Sequence, residues 1–556
     1  MADYAKSEME KSGSYGYDDD KHTHEKQVEF VGAQNATAKE HNLTLRQALK
    51  AYPKAIMWSI LLSSAVIMEG YDTLLIGSYL GFPSFNNTFG NQVVDGAPSI
   101  TAPWQSAITN GAYIGEILGL QATGYLVGWY GNKKVMGGAT MMMIAFVCIT
   151  LMVKSESTEA NAQQIFISFF GNTLTLQLIG QILCGIPWGV YQTVTTVYAS
   201  EVLPLNLRGY LTSYVNLCWV IGQFIASGVL VGVNTRTDPW GWRIPYAIQW
   251  IWPLPIILVC IFCPESPTWL ASHDRMEDAV RAVQRLQTNK ANIDMPTPHE
   301  TVALLAHTNA IERRLTNGAG YLECFKGTNL RRTEIAVGAW VTQQMCGPVL
   351  QTYAIVFFEQ AGMSSTNAFY MGLGLYALAF VGTLLSWPLI NAFGRRSIFL
   401  TGLASAFVIL MIVGCVSLGD QSNSRISWAI GAMLLVYTFV YDSSIGPLTY
   451  VIVPEASSSR LRHKTTVLAR NAYNLTCIWT GVITPYMLNP TAWNWGAKAG
   501  FFWAGATALC LTWAFFRLPE TKDATYAELD LMYERGVPAR KYAKERRDVA
   551  AQMGGQ

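Results

Sequence analysis

Charge is scarce in this chain: Asp, Glu, Lys and Arg make up 14% of its 556 residues, against about 25% in an average soluble domain. That shortage excludes one solvated surface wrapped around one core. The basic residues are spread over loops and the net charge is +2. No stripe exists to neutralise a phosphate backbone, so nucleic acid is excluded as a partner. Histidine is sparse too, with seven copies, nearly all in the tails or loops. No catalytic triad and no Walker-type glycine loop is present, so neither enzyme chemistry nor ATP hydrolysis is expected, and neither a cofactor nor a metal. Energy must come from gradients. Ten cysteines are present, most of them isolated inside apolar runs as small hydrophobes. Cys260 and Cys263 have CxxC spacing without a second pair, and read as packing. Residues 1–50 have no early apolar stretch, because Tyr4, Asp18, Asp19, Asp20, Lys21 and Glu25 interrupt it, so no cleavable signal peptide is expected there.

What is abundant is apolar sequence in long runs. Hydrophobic residues make up 51% of the chain, and stretches recur from Ala55 to Phe515. A spanning helix needs roughly 20 apolar residues to cross a hydrocarbon core about 30 Å thick. The pattern predicts an all-α membrane protein with twelve spans, at 54–80, 104–129, 134–153, 173–199, 209–233 and 244–262, then 334–361, 367–391, 397–417, 427–453, 464–488 and 497–517. Five regions follow: a disordered tail 1–50, a six-helix bundle 51–262, a polar linker 263–333 with helical patches, a second six-helix bundle 334–517 and a tail 518–556. Lys133, Lys134, Arg208, Arg395, Arg396, Arg460, Arg462 and Lys464 fall on the same side as the basic linker, whereas loop 81–103 has no Lys or Arg. The positive-inside rule then places both termini and the linker in the cytoplasm. Asn86-Asn87-Thr88 in that outer loop is a glycosylation sequon. Lys6, Lys11, Lys21, Lys26 and Lys39 lie in the polar tail. They are either ubiquitin acceptors or charges that fix topology and solubility.

The two halves repeat their motifs. Gly131-Asn-Lys-Lys134 after span 2 matches Gly394-Arg-Arg396 after span 8. Glu201 stands seven residues before Arg208 after span 4, and Glu455 seven before Arg462 after span 10. Matched carboxylate–arginine pairs suggest an inner gate whose ion pairs break and reform as the halves rock. Within the spans, ionisable side chains are functional candidates because each is costly in lipid. They are Glu69, Asp72, Glu116 and Arg470, with Asp442 ranked below them as a static ion pair between helices. Glu69 and Asp72 share a helix face. Glu116 lies among Gly111, Gly115 and Gly119, a spacing that admits a close helix neighbour. Moving Arg470 relative to these carboxylates would switch proton binding.

Several motifs carry a resemblance. Pro264-Glu-Ser-Pro-Thr-Trp-Leu270, Pro519-Glu-Thr-Lys522, Gly70-Tyr-Asp-Thr73, Gln343-Gln344 with Gly347, and Gly446-Pro447 resemble the sugar porters of the major facilitator superfamily. Cys184-Gly-Ile-Pro-Trp-Gly-Val-Tyr-Gln192, Leu468-Ala-Arg-Asn471 and Thr484-Pro-Tyr-Met-Leu-Asn-Pro-Thr-Ala-Trp-Asn-Trp-Gly496 are similar to fungal maltose and α-glucoside permeases. So are Glu528-Leu-Asp530 and Val537-Pro-Ala-Arg540. The resemblance implies the major facilitator fold and proton-coupled symport of α-glucosides across the plasma membrane by alternating access. A passive facilitator and a non-transporting sugar sensor are the alternatives. It implies sugar contacts at Gln223, Gln343, Gln344 and Tyr450, with Tyr353, Asn471 and Gln192 as further candidates. It also implies that Asp72 pairs with an arginine in span 4, but Gln181 stands there, which leaves Arg470 as the obvious substitute. Further departures are Gly128 with Trp129, Asn391 with Ala392, and Val349. Trp188, Trp340 and Trp479 read as packing or interface residues.

Overall fold

A computed structural model describes residues 43–94, 96–151, 173–288, 294–316, 321–360, 362–419, 424–457, 461–522 and 532–542, with a few isolated positions in the two tails. Lys6, Lys11, Lys21 and Lys26 lie outside them, and the side chains of Arg208 and Arg462 are not described.

Twelve spans form two six-helix bundles, the major facilitator fold. Span 1 is Pro53–Ser63 and Ala65–Tyr79. Spans 2 to 5 are Ala102–Tyr130, Asn132–Leu151, Thr173–Val202 and Leu205–Val233. Span 6 is Trp240–Ile248 and Pro253–Phe262. Span 7 is broken into Gly327–Met345, Val349–Thr352 and Ala354–Gln360. Spans 8 and 9 are Ser365–Ala392 and Arg395–Val416. Span 10 is Ser424–Ser443 and Ile445–Ala456, and spans 11 and 12 are Arg462–Leu488 and Ala499–Arg517. By length and composition alone, eight helices among the described residues are apolar enough to cross a membrane. Spans 2, 3, 7 and 11 fall outside that set. Span 7 is interrupted, and span 11 begins with Arg462, His463 and Lys464 and carries Arg470 within it.

Glycine sets the closest packing. A Cβ on Gly115 would collide with the Ile182 carbonyl, and one on Gly119 with that of Ile186. The reverse contacts are the same, since a Cβ on Gly185 would meet the Ala112 carbonyl and one on Gly189 that of Glu116. Spans 2 and 4 therefore touch backbone to backbone, as the spacing around Glu116 predicts.

The linker and the N-terminal segment form a separate compact unit. Helices Pro267–Ser272, Met276–Leu286 and Pro298–Thr316 enclose Leu270, Ala279, Ala282, Val283 and Val302. Within this unit the chain is helical over Leu45–Ala51, where Thr44 and Gln47 make a capping box and Ala48 and Ala51 are buried. The Thr288 N–H donates to Ala51 O at 2.9 Å. Lys39 Nζ donates to both Glu300 oxygens at 3.0 and 3.1 Å. The end of the segment expected to be disordered is thus structured by contact with the linker, and Lys39 is held in an ion pair.

In the other unit, Asn86 sits in helix Pro83–Phe89 with its Nδ2 donating to Leu80 O at 3.0 Å. The nitrogen that would carry a glycan is turned inward. Cys260 and Cys263 are both buried and form no disulfide, and Cys263 Sγ lies 2.9 Å from Tyr198 OH.

Candidate functional site

Three ionisable groups meet between the bundles. Glu69 and Glu116 are 2% and 1% exposed. Gln192 of span 4 donates its amide N–H to Glu69 Oε1, and its Oε1 accepts from Arg470 Nη2. Arg470 also acts electrostatically on both carboxylates. Its guanidinium lies over the rings of Trp340 at 4.7 Å and Tyr473 at 4.3 Å. Aromatic faces are negative, so a cation can be held there without a direct carboxylate contact. Glu69 Oε2, Glu116 Oε2 and Arg470 Nε are buried without a hydrogen-bond partner. The cluster thus keeps spare acceptor and donor capacity.

Asp72 is placed elsewhere. It is 2% exposed and accepts from Gln249 Nε2 of span 6, and Gln181 faces the same carboxylate. The structure gives Asp72 two amides where the resemblance implies a cation, and Arg470 serves Glu69 and Glu116 instead. The reason is register. Asp72 and Glu69 share a face, but Asp72 lies about one turn further along span 1, where Gln249 meets it, while Arg470 reaches Glu69 through Gln192.

The expected sugar contacts divide similarly. Gln344 Nε2 donates to Tyr473 OH at 3.1 Å and lies 2.8 Å from Cys477 Sγ. Tyr450 lies beside Arg470 and packs its ring 4.8 Å from Trp340. The buried Tyr353 OH and Asn471 Oδ1 have no hydrogen-bond partner. Gln223 is buried in span 5. Gln343 is more committed, because its Nε2 donates to Gly446 O at 2.8 Å. Its own carbonyl accepts from Tyr441 OH at 3.2 Å, and the Cys346 carbonyl from Tyr437 OH at 2.9 Å. Gly347 takes φ +107° at the span 7 break, and Pro447 follows the span 10 break without an N–H. The broken spans 7 and 10 therefore cap each other's loose carbonyls.

At the end carrying loop 81–103 the halves are in contact. Ser106 Oγ donates to Val482 O at 3.1 Å and Asn489 Nδ2 to Ile100 O at 3.3 Å. A Cβ on Gly77 would meet the Thr352 carbonyl, and one on Gly481 the Asn110 side chain. A cavity of about 490 Å³ lined by Thr101, Tyr486, Thr491 and Trp493 shares no residue with the charged cluster.

At the opposite end Glu455 is paired, though with a residue outside the expected gate. Arg395 Nη2 lies 3.2 Å from Glu455 Oε1, and Thr521 Oγ1 donates to Oε2 at 2.5 Å. Glu520 accepts from the backbone N–H groups of Arg395 at 2.8 Å and Arg396 at 3.2 Å. A carboxylate on the first two N–H groups of span 9 complements the positive end of that helix. Glu201 is part of the other compact unit. Sequence reasoning missed Trp340, Tyr473, Gln249, Arg395 and Glu520 as site residues. Tyr473 had a signal, since it stands three residues after Arg470 and so on its face.

A general α-glucoside permease of Saccharomyces cerevisiae is 41% identical over 514 residues, covering 92% of this chain and 80% of the permease. The same organism's maltose permease MAL31 is 37% identical, covering 93% and 82%. Among solved structures, the proton:xylose symporter XylE bound to 6-bromo-6-deoxy-D-glucose superposes with a TM-score of 0.68 at 21% identity, covering 87% of this chain and 99% of that one. XylE from E. coli in a partially occluded inward-open conformation also gives 0.68, at 18% identity over 85% and 100%. The structural likeness shows the fold. The family model described as "Sugar (and other) transporter" matches residues 58–533, and the chain belongs to that family of membrane transporters, in the branch of the yeast α-glucoside and maltose permeases.

Proposed function

We propose that this chain imports α-glucosides such as maltose across the plasma membrane together with protons, by alternating access, with both termini cytoplasmic. One observation carries the proton coupling: two membrane carboxylates share one cation, Arg470, with Glu69 bridged to it by Gln192 and Glu116 acted on by its charge. With both carboxylates ionised the set keeps one negative charge, and one bound proton balances it. Balance matters because an uncompensated charge in a water-excluded interior costs several kcal/mol. The neutral set can cross between the two access states, and the charged one is held back. Sugar enters the argument through Gln344, Tyr450 and Tyr473, which pack against Arg470 or against its ring partners. A hydroxyl that takes up these donors also repositions the guanidinium. Relatives that carry α-glucosides and maltose set the substrate class. On this orientation the contacts of Ser106, Asn489 and Gly77 close the outer side.

Maltose added to lightly buffered cells of a transporter-null yeast expressing the chain should alkalinise the medium. A protonophore should abolish accumulation. Uptake that merely equilibrates and ignores the protonophore would identify a passive facilitator.

The gate is tested at Glu520. Charge-assisted hydrogen bonds contribute about 1.5–3 kcal/mol each, so Glu520→Gln should slow turnover about tenfold or more. The apparent affinity measured from outside should change little. Initial rates normalised to surface protein separate the two, and a normal maximal rate would return Glu520 to a purely structural cap.

A further inference from the structure

Asp442 is a membrane carboxylate that neither the cluster nor the gate uses. It ends the first helix of span 10, two residues before the break at Ser444, and is 5% exposed. Among the described residues Asp442 has no ion pair of the kind expected from the sequence. The groups that face it are Gln351 of span 7, Tyr376 of span 8, and Tyr437 and Tyr441 of its own helix, and no cation is among these described residues. Gln351 is the polar side chain that interacts with the carboxyl, although Gln351 Nε2 and Asp442 Oδ2 are both buried and neither makes a hydrogen bond of ordinary geometry. The three tyrosine hydroxyls around them are engaged. Tyr376 OH donates to Gln351 O at 2.7 Å, while Tyr437 and Tyr441 donate to the loose carbonyls of span 7. A Cβ on Gly446 would lie 3.6 Å from Asp442 Oδ1, and one on Gly382 3.3 Å from Asp442 Cβ, so no space remains for a sugar ring.

We propose that Asp442 is a second proton-exchange site, in the C-terminal bundle, that couples protonation to the paired breaks of spans 7 and 10. A carboxyl carrying a proton has one donor and keeps acceptor capacity, whereas a carboxylate only accepts. The protonated group donates to the Gln351 side-chain oxygen once that amide turns. The bond ties the Val349–Thr352 turn to the end of Ser424–Ser443. Loss of the proton turns the amide back, so that its N–H faces a carboxylate whose charge has no cation among these described residues, and this charged arrangement loosens the turn. Because Gln343 and Gly446 are bonded across the same breaks, the tie acts on the sugar-facing part of span 7. It therefore alters sugar affinity with pH. This inference rests on the transport reading and is separable from the symport mechanism.

The test uses the full chain in transporter-null yeast and labelled maltose, with KM measured at external pH from about 4 to about 7, a range that brackets ordinary and raised carboxyl titration. The parent should show a KM that changes at least about threefold across the range, about half of the tenfold that 1.4 kcal/mol confers on a logarithmic scale. Asp442→Asn cannot exchange a proton there and should cut the change of KM with pH to less than about half of the parental slope, with maltose-driven alkalinisation retained. Glu116→Gln should lose alkalinisation and keep the part of the slope that Asp442 supplies. Should Asp442→Asn fail to reach the surface, Gln351→Leu keeps the carboxyl and removes its acceptor, and should displace the pH at which KM changes. A parent with a flat KM, an Asp442→Asn variant with the parental slope, or a Gln351→Leu variant with an unmoved midpoint overturns the proposal. A parent that never alkalinises the medium sinks the symport reading alone, because the KM comparison still decides Asp442.

Discussion

Arg470→Gln should reduce maltose accumulation about a hundredfold or more, because removing one partner of a buried charge set costs about 3–5 kcal/mol. Glu69 and Glu116 would then face each other with Gln192 alone between them and the Arg470 site. The rings of Trp340 and Tyr473 would lose the cation they hold. A second substitution sharpens the prediction. Arg470→Gln combined with Glu116→Gln removes one charge of each sign, so surface abundance and equilibrating uptake should recover while accumulation should not. Labelled maltose uptake with and without a protonophore, normalised to surface protein, measures both. Accumulation by the single variant at the parental level would show that coupling does not pass through Arg470.

Gly115→Leu should be nearly absent from the cell surface. Even a Cβ at this position falls on the Ile182 carbonyl, and backbone, unlike a side-chain tip, cannot turn aside. Overpacking a tight core costs about 1–3 kcal/mol where side chains can adjust, and here two helices must separate. Glu116, the next residue, would be displaced with them. A Cβ on Gly124, in the same helix, meets no atom within 4 Å, so Gly124→Leu should leave abundance unchanged. Surface labelling of both variants decides it. Equal amounts would mean that spans 2 and 4 stand farther apart than backbone contact requires.

Much of this is legible in the residues. The apolar runs mark the spans, and the Gly111-Gly115-Gly119 register signals the span 2 to span 4 contact by its spacing alone. Local patterns reach that far because helical period and backbone approach are properties of one segment. The partners of Asp72 and Glu455 are not legible. Both depend on distant segments whose meeting follows from the tilt and register of whole helices. Gln249 comes from a 3₁₀ turn within span 6. Arg395 is the first residue of span 9, and the sequence presents it as a topological charge. Gln343 is expected as a sugar contact, and its spacing carries no sign that Gly446 claims its amide. Breaks in spans 7 and 10 are visible as Gly347 and Gly446-Pro447, but a break does not announce which groups will satisfy it.

The C-terminal residues past span 12 fold back onto the C-terminal bundle. Arg332 lies over the Tyr533 ring at 4.4 Å, Arg331 over Tyr542 at 5.7 Å, and Arg540 over Phe516 at 5.2 Å. This arrangement has a consequence in the time of synthesis. Arg332 lies in the second turn of span 7, and its ring partner Tyr533 is translated about two hundred residues later, roughly 10–40 s at usual elongation rates. Throughout that interval the arginines stand at the start of a broken, polar span with no aromatic cover. The segment made after span 12 therefore covers this end of the bundle, and a ribosome that stops short of Tyr533 leaves behind a chain with this end unfinished.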